Sequence, residues 1–181
     1  MRTVLRMAEA GDEQRALRRA LAPRLGQLGT PLELIAEEVL GEEDGVIDWI
    51  AAAPDGRAFV VLVTSAHAGA ALLQAGLVQR AWVQTRIADW RKLAPGLALR
   101  EQPAARALLI ARDFDRATRI AAREAAGDAI VLARWRIEGA AGLLELEALE
   151  PARGVVRSAP APRQEPNAMF RTGLRETDFA N

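Results

Sequence analysis

The chain has 181 residues, half of them hydrophobic, and 24 lysines and arginines balance 24 aspartates and glutamates. This length fits one domain with room for a tail, and the balanced charge excludes a bulk attraction to nucleic acid or to an anionic membrane. The absence of cysteine excludes disulfides and thiolate metal sites. No stretch is apolar enough for a signal peptide or a membrane span, so we expect a cytoplasmic protein that does not bind membranes.

The N-terminal part predicts one helix followed by a three-stranded antiparallel meander. Residues 11–26 carry leucines at helical spacing, with Asp12 placed to cap the helix and Pro23 placed to end or kink it. Residues 32–40 fit a short helix or a strand, and the flanking breakers favour the strand. An Asp-Gly pair then separates two β-like runs, which is a strong hairpin signal. The segment 32–64 is therefore predicted to be the meander.

The next part of the chain predicts an α/β crossover. The predicted elements are a long helix over 68–92, a buried strand over 105–112, a helix over 114–125 capped by Asp113 or Asp115, and strands over 129–137 and 143–149. A strand, helix, strand order of these lengths is typical of a crossover connection. The predicted fold is an α/β domain with a mixed sheet flanked by helices.

The character of the sequence changes after Glu150. We expect a folded domain over 1–150, a flexible linker rich in Pro, Arg and Ala over 151–168, and a tail over 169–181. Large apolar side chains return in the tail, an arrangement typical of a tethered docking peptide. We predict that the tail binds a protein partner, with packing against its own domain or disorder as the alternatives. The predicted contact residues are Met169, Phe170, Leu174 and Phe179.

Three motifs in the meander resemble those of a known enzyme superfamily. They are LELI at 32–35, GVID at 45–48 and DGRAFVVLVT at 55–64. Together with the preceding helix, they make residues 11–149 similar to the PD-(D/E)xK nuclease superfamily, in its bacterial endonuclease-like branch. The resemblance implies a restriction-endonuclease-like mixed sheet.

The resemblance also assigns roles to individual residues. Asp48 matches the metal-binding aspartate, Gln79 matches a helix glutamine, and Glu13 lies where such proteins carry a further acidic residue. The glutamate and the lysine of the E-x-K pair fall on Leu62 and Thr64. Such nucleases activate a water with Mg²⁺ held between carboxylates, and a lysine orients that water. The resemblance thus implies a degenerate site, with no intact catalytic residue and no expected metal or other cofactor.

We therefore expect a catalytically inactive nuclease-fold protein that acts as a protein-binding or scaffold module. One alternative is a DNA-binding protein that keeps the groove but not the chemistry. The other is a Mg²⁺-dependent endonuclease that combines Asp48 with Glu13, Glu37 or Glu38, although strand alternation would let only one of Glu37 and Glu38 face Asp48. A homodimer that pairs through an outer helix is left open.

The remaining notable residues have ordinary explanations. The single histidine, His67, fits a loop position, and core packing accounts for the four tryptophans better than base stacking does. Arginines recur near two of the predicted helices, where a solvated surface of mixed charge is favoured over a basic DNA groove. These arginines include Arg80, Arg86, Arg91, Arg112, Arg116, Arg119 and Arg123.

Overall fold

The computed structural model describes residues 2–124, 127–138 and 143–149, with the backbone alone described for residues 2–10. The strands are β1 (Glu33–Leu40), β2 (Val46–Ala52), β3 (Ala58–Val63), β4 (His67–Ala68), β5 (Arg106–Ala111), β6 (Asp113–Phe114), β7 (Ile130–Glu138) and β8 (Leu143–Leu149). The α-helices are α1 (Arg2–Leu21), α2 (Ala70–Thr85), α3 (Ile87–Leu93) and α4 (Arg116–Glu124). Short 3₁₀ helices span Ala22–Leu28, Glu42–Asp44, Pro95–Leu97 and Gly127–Ala129.

Six of the strands form one mixed sheet in the order β1-β2-β3-β5-β7-β8. The first three strands are antiparallel neighbours, as the meander prediction required. The chain then crosses over through α2 and α3 to β5 and through α4 to β7, so that β3, β5 and β7 run parallel, and β8 returns antiparallel to β7. The predicted mixed α/β sheet flanked by helices is confirmed.

The turn between β2 and β3 has the geometry that its sequence predicts. Gly56 adopts a φ of 82°, in the left-handed region that glycine enters without steric cost. The Asp55 carboxylate accepts a hydrogen bond from the Arg57 N–H at 3.0 Å. This turn sets the register in which Trp49 lies opposite Val61.

Both faces of the sheet are covered, which explains why β3 is apolar at every position. Ala58, Val60 and Leu62 belong to the hydrophobic cluster that packs against α2 and α3. The alternate residues Phe59, Val61 and Val63 belong to the cluster on the opposite face. Leu21 and Leu25, at the end of α1 and in the 3₁₀ helix that follows it, are fully buried in that second cluster.

The helices differ from their predicted bounds in several places, one of which is the start of α4 at Arg116. The first helix begins at Arg2, so Asp12 lies inside it and pairs with Arg15 at 3.3 Å; the predicted cap is wrong. The α-helix ends before Pro23, as predicted, because proline cannot donate to the preceding turn. The long helix predicted over 68–92 divides at Arg86, a break that keeps residues of both α2 and α3 against the sheet.

Residues 150–181 lie outside the described part of the chain, so what the sequence predicts for the linker and for the tail, including Met169, Phe170, Leu174 and Phe179, stays a prediction. Among the described helices, none combines the length and the apolar character needed to cross a membrane.

Candidate functional site

The site centres on Asp48, a carboxylate buried in β2 with only 8% of its surface exposed. One of its oxygens, Oδ1, accepts a hydrogen bond from Arg18 Nη1 at 2.8 Å. The other, Oδ2, accepts a hydrogen bond from the backbone N–H of Val63 at 2.6 Å. Both oxygens of the carboxylate therefore have donors from within the chain.

The place of Asp48 in the sheet explains the bond to Val63. The paired residues of β2 and β3 run from Ala52 opposite Ala58 to Trp49 opposite Val61. Beyond that pair, the Asp48 side chain provides the acceptor for the N–H of Val63. The carboxylate thus satisfies a buried backbone donor that would otherwise lack a partner.

Helix α1 brings two polar side chains to this end of the sheet. Gln14 donates to the Val63 carbonyl at 2.6 Å and accepts from the Ser65 N–H at 3.2 Å. One turn further along, Arg18 reaches Asp48 and also pairs with Glu38 at 2.9 Å. The Arg18 side chain is only 15% exposed, so its guanidinium forms a largely buried link between α1, β1 and β2.

An open cavity of about 410 Å³ lies beside this ion pair. Glu37, Glu38 and Asp48 all line it, together with Trp49 and arginines from α1. The expectation that only one of the two glutamates could face Asp48 is therefore wrong. Glu38 adopts a φ of 52°, and this left-handed backbone interrupts the regular alternation of side chains along β1.

The burial of Asp48 changes its acidity. Loss of hydration raises the pKa of Asp48 above the ordinary aspartate value. The hydrogen bond from Val63 and the positive charge of Arg18 act in the opposite direction, but they only partly offset the effect of burial on this pKa. Arg18 therefore reduces the free-energy cost of a carboxylate that the fold has removed from water.

In an E-x-K pair, both side chains would lie beside the aspartate. Leu62 and Thr64 do not lie beside Asp48 in this way. Leu62 is buried in the cluster under α2, whereas Arg18 approaches Asp48 from α1 on the other face. Thr64 follows β3, and its Oγ1 accepts a hydrogen bond from the Ala66 N–H at 3.2 Å. The β3 residues on the α1 face are apolar, so neither face of β3 supplies a carboxylate or an amine near Asp48.

Gln79 and Glu13 also lie apart from Asp48. Gln79 is buried on the α2 side, where its amide bonds both the N–H of Glu42, at 2.9 Å, and the carbonyl of Glu42, at 2.8 Å. It holds the β1–β2 connection, and a side chain at Gly41 would collide with it. Glu13 is exposed on α1. Of the residues that the resemblance assigned, Asp48 alone reaches the cavity.

The Mg²⁺ that the resemblance associates with such a sheet does not fit these residues. Magnesium needs free carboxylate oxygens in a nearly octahedral arrangement. Each oxygen of Asp48 already accepts a hydrogen bond, and the positive charge of Arg18 against Asp48 and Glu38 would repel a metal ion from the place where it would bind. Within the described residues, no group of three or more histidine, aspartate or glutamate side chains has the geometry of a metal site.

Arg18 and Gln14 are the site residues that the sequence reasoning missed. A usable signal was present, because helical spacing puts Gln14 and Arg18 on the same side of α1 as Leu21, which is fully buried. Polar side chains on a buried helix face require polar partners. Their partners were not predictable, since Arg18 and Asp48 lie thirty positions apart in the sequence.

Comparison with known proteins adds two similar solved structures. One is a repair endonuclease from Pyrococcus abyssi, with 16% identity and a TM-score of 0.36 over 63% of this chain and 43% of that one. The other is a complex of EndoMS with double-stranded DNA, with 15% identity and a TM-score of 0.36 over 63% of this chain and 41% of that one. This chain thus spans less than half of either structure. No protein-family model and no curated protein matches the sequence significantly.

The raised pKa of Asp48 predicts a pH dependence of stability. The folded protein retains the Asp48 proton to higher pH than the unfolded chain does. Protonation of Asp48 therefore contributes to stability in full below the pKa that Asp48 has in the unfolded chain. This contribution is lost as pH rises through the pKa that Asp48 has in the folded protein. Urea unfolding of the wild type and of Asp48→Asn between about pH 4 and pH 7 measures how the free energy of unfolding depends on pH. We expect the free energy of unfolding of the wild type, relative to Asp48→Asn, to fall as pH rises.

The control for this measurement is Asp44→Asn, at an exposed position in the β1–β2 connection. The difference in the free energy of unfolding between Asp44→Asn and the wild type should not change with pH in the same way. A wild-type advantage over Asp48→Asn that stays constant or grows with pH would contradict the raised pKa.

Proposed function

We propose that this protein is a non-catalytic binding protein built on a nuclease-like sheet. The observation that carries the proposal is the contact between Arg18 Nη1 and Asp48 Oδ1 at 2.8 Å. A guanidinium that belongs to the chain itself neutralises the carboxylate that would otherwise be the first ligand of a catalytic metal. Arg18 also pairs with Glu38, so the same cation engages the nearest replacement carboxylate.

The composition of β3 supports the same conclusion. Metal-dependent phosphodiester cleavage needs a second carboxylate to complete the metal site and a donor to stabilise the developing charge. Val61 and Val63, on the Asp48 side of β3, provide neither group. What the chain offers is a sheet covered by helices, together with a tail whose apolar residues suit it to bind a protein partner. We therefore assign the protein to binding or scaffolding, with the tail as its docking segment.

The direct test is a cleavage assay on plasmid, linear and single-stranded DNA in Mg²⁺ and in Mn²⁺. We expect no cleavage by the wild type above the level of Asp48→Asn, because the carboxylate is already committed to Arg18 and Val63. Far-UV circular dichroism of both proteins verifies that they are folded. Cleavage by the wild type that Asp48→Asn abolishes would overturn the proposal, whereas equal cleavage by both would mean that Asp48 takes no part in the cleavage.

A second candidate function, DNA binding without cleavage, is favoured by the exposed arginines of α4. Arg116, Arg119 and Arg123 are spaced so that they share one face of the helix, and each is exposed. This face lies on the opposite side of the sheet from α1, because Ala122 packs into the cluster under α2. Arginines in such a row can contact successive backbone phosphates of a nucleic acid.

DNA binding of this kind predicts a steep dependence on salt. The affinity for a short fluorescent duplex, measured by anisotropy, should fall as salt is added, because each contacted phosphate releases counterions. Arg119→Glu should weaken the binding further, whereas Arg15→Glu, the same change on α1, should leave it unchanged. Binding that is insensitive to salt, or that Arg119→Glu does not weaken, would rule out this function.

A further inference from the structure

Two adjoining cavities form a groove at the end of the sheet where β2 stops. The first, of about 690 Å³, is lined by three cationic side chains, Arg91, Lys92 and Arg100. The second, of about 380 Å³, is lined mainly by apolar residues, which include Pro31, Leu32, Pro54 and Leu97. Ala98 lines both cavities, so they adjoin at this residue. We call these residues together the basic–apolar groove.

The charge of the groove is concentrated at one end. Arg91 and Arg100 are exposed, and within the described residues neither has an ion-pair partner. Lys92 pairs with Asp89 at 3.5 Å, but both side chains are mostly exposed to water, where such a pair contributes little. Glu33 lines the apolar end and makes that end unfavourable for a second acidic group. The groove therefore favours a peptide segment in which acidic residues stand on one side of an apolar residue.

The described chain ends close to this end of the sheet. Leu149, the last residue of β8, pairs with Leu132 near the start of β7. Just before β7, Asp128 contacts Arg57 of the β2–β3 turn at 2.9 Å. The end of β8 and the groove therefore lie at the same end of the strands. In the order of the sheet, β8 is four strands away from β2, beside which the groove lies.

We propose that Glu176, Asp178 and Phe179 of this chain dock in the basic–apolar groove. The proposal rests on the docking role that the proposed function gives to the tail, and it adds a site on the chain's own domain that a protein partner would have to displace. The two carboxylates complement Arg91 and Arg100, and the adjacent phenyl ring fills the apolar cavity. The sequence Glu-Thr-Asp-Phe places the acidic residues directly before the aromatic one, which matches the order of the two cavities.

The connecting segment is long enough for this contact. Residues 150–175 can extend to about 85 Å, at about 3.3 Å per residue. Four strand spacings of about 4.8 Å separate β8 from β2, which amounts to about 19 Å. Because the segment is tethered, its effective concentration at the groove is in the millimolar range, so contacts that would be weak between separate molecules are sufficient.

The test uses paramagnetic relaxation in the full chain. Since the sequence contains no cysteine, Thr172→Cys provides a single position for a nitroxide label, four residues before Glu176. We expect the backbone amide signals of Leu32, Leu97 and Ala98 to lose intensity when the label is attached. Arg100→Glu should lower the ratio of docked to free tail about threefold to tenfold. Adding Asp178→Arg to that variant should restore the docking, because the ion pair is then reversed.

A matched control and a mixing experiment complete the design. Arg119→Glu makes the same charge change on α4 and should leave the signal loss intact. Absence of signal loss at the groove, or loss that Arg100→Glu does not reduce, would overturn the proposal. Equal signal loss in an isotope-enriched unlabelled copy that is mixed with a labelled copy without isotope enrichment would also overturn it, by identifying a second copy as the occupant. The cleavage assay is independent of these outcomes, so docking can fail while the non-catalytic assignment stands.

Discussion

The fold depends on how one buried carboxylate is satisfied. Asp48 lies where the ladder between β2 and β3 ends, and burial there raises its pKa. Arg18 offsets part of this cost with a charged hydrogen bond, and the Val63 N–H completes the coordination of the carboxylate. The same guanidinium reaches Glu38, so a single side chain from α1 fixes the helix to two strands of the meander. Removing one partner of such a pair would leave a buried charge without compensation.

This arrangement links the packing of the sheet to the proposed function. A catalytic metal would have to bind Asp48 beside the positive charge of Arg18, and β3 offers only apolar side chains on both faces. The carboxylate that could take part in chemistry is instead bound to Arg18 and to the Val63 N–H. The groove at the opposite end of the meander has exposed arginines beside an apolar cavity, which are features of a binding surface.

Much of the architecture was predictable because it depends on local signals. The Asp-Gly turn determined the β2–β3 hairpin, Pro23 ended the α-helical part of the first helix, and Asp115 caps α4 through the Thr118 N–H at 2.7 Å. The site depended on tertiary contacts that no local pattern encodes. The face of Leu62 follows from sheet register, and the partner of Asp48 comes from a distant helix. The prediction for β1 relied on side chains that alternate regularly between the two faces of the strand, and the positive φ of Glu38 interrupts that alternation.

In the proposed function, Arg18 takes the place of a metal ion beside Asp48. Luminescence of Tb³⁺ tests it most directly, because Trp49 lines the same cavity and would sensitise an ion bound there. We predict no saturable luminescence from the wild type, and a saturable signal from Arg18→Ala, in which Asp48 and Glu38 are released. Circular dichroism verifies that each variant is folded. A saturable signal from the wild type that Asp48→Asn abolishes would contradict the account, because it would mean that Asp48 binds a metal despite Arg18.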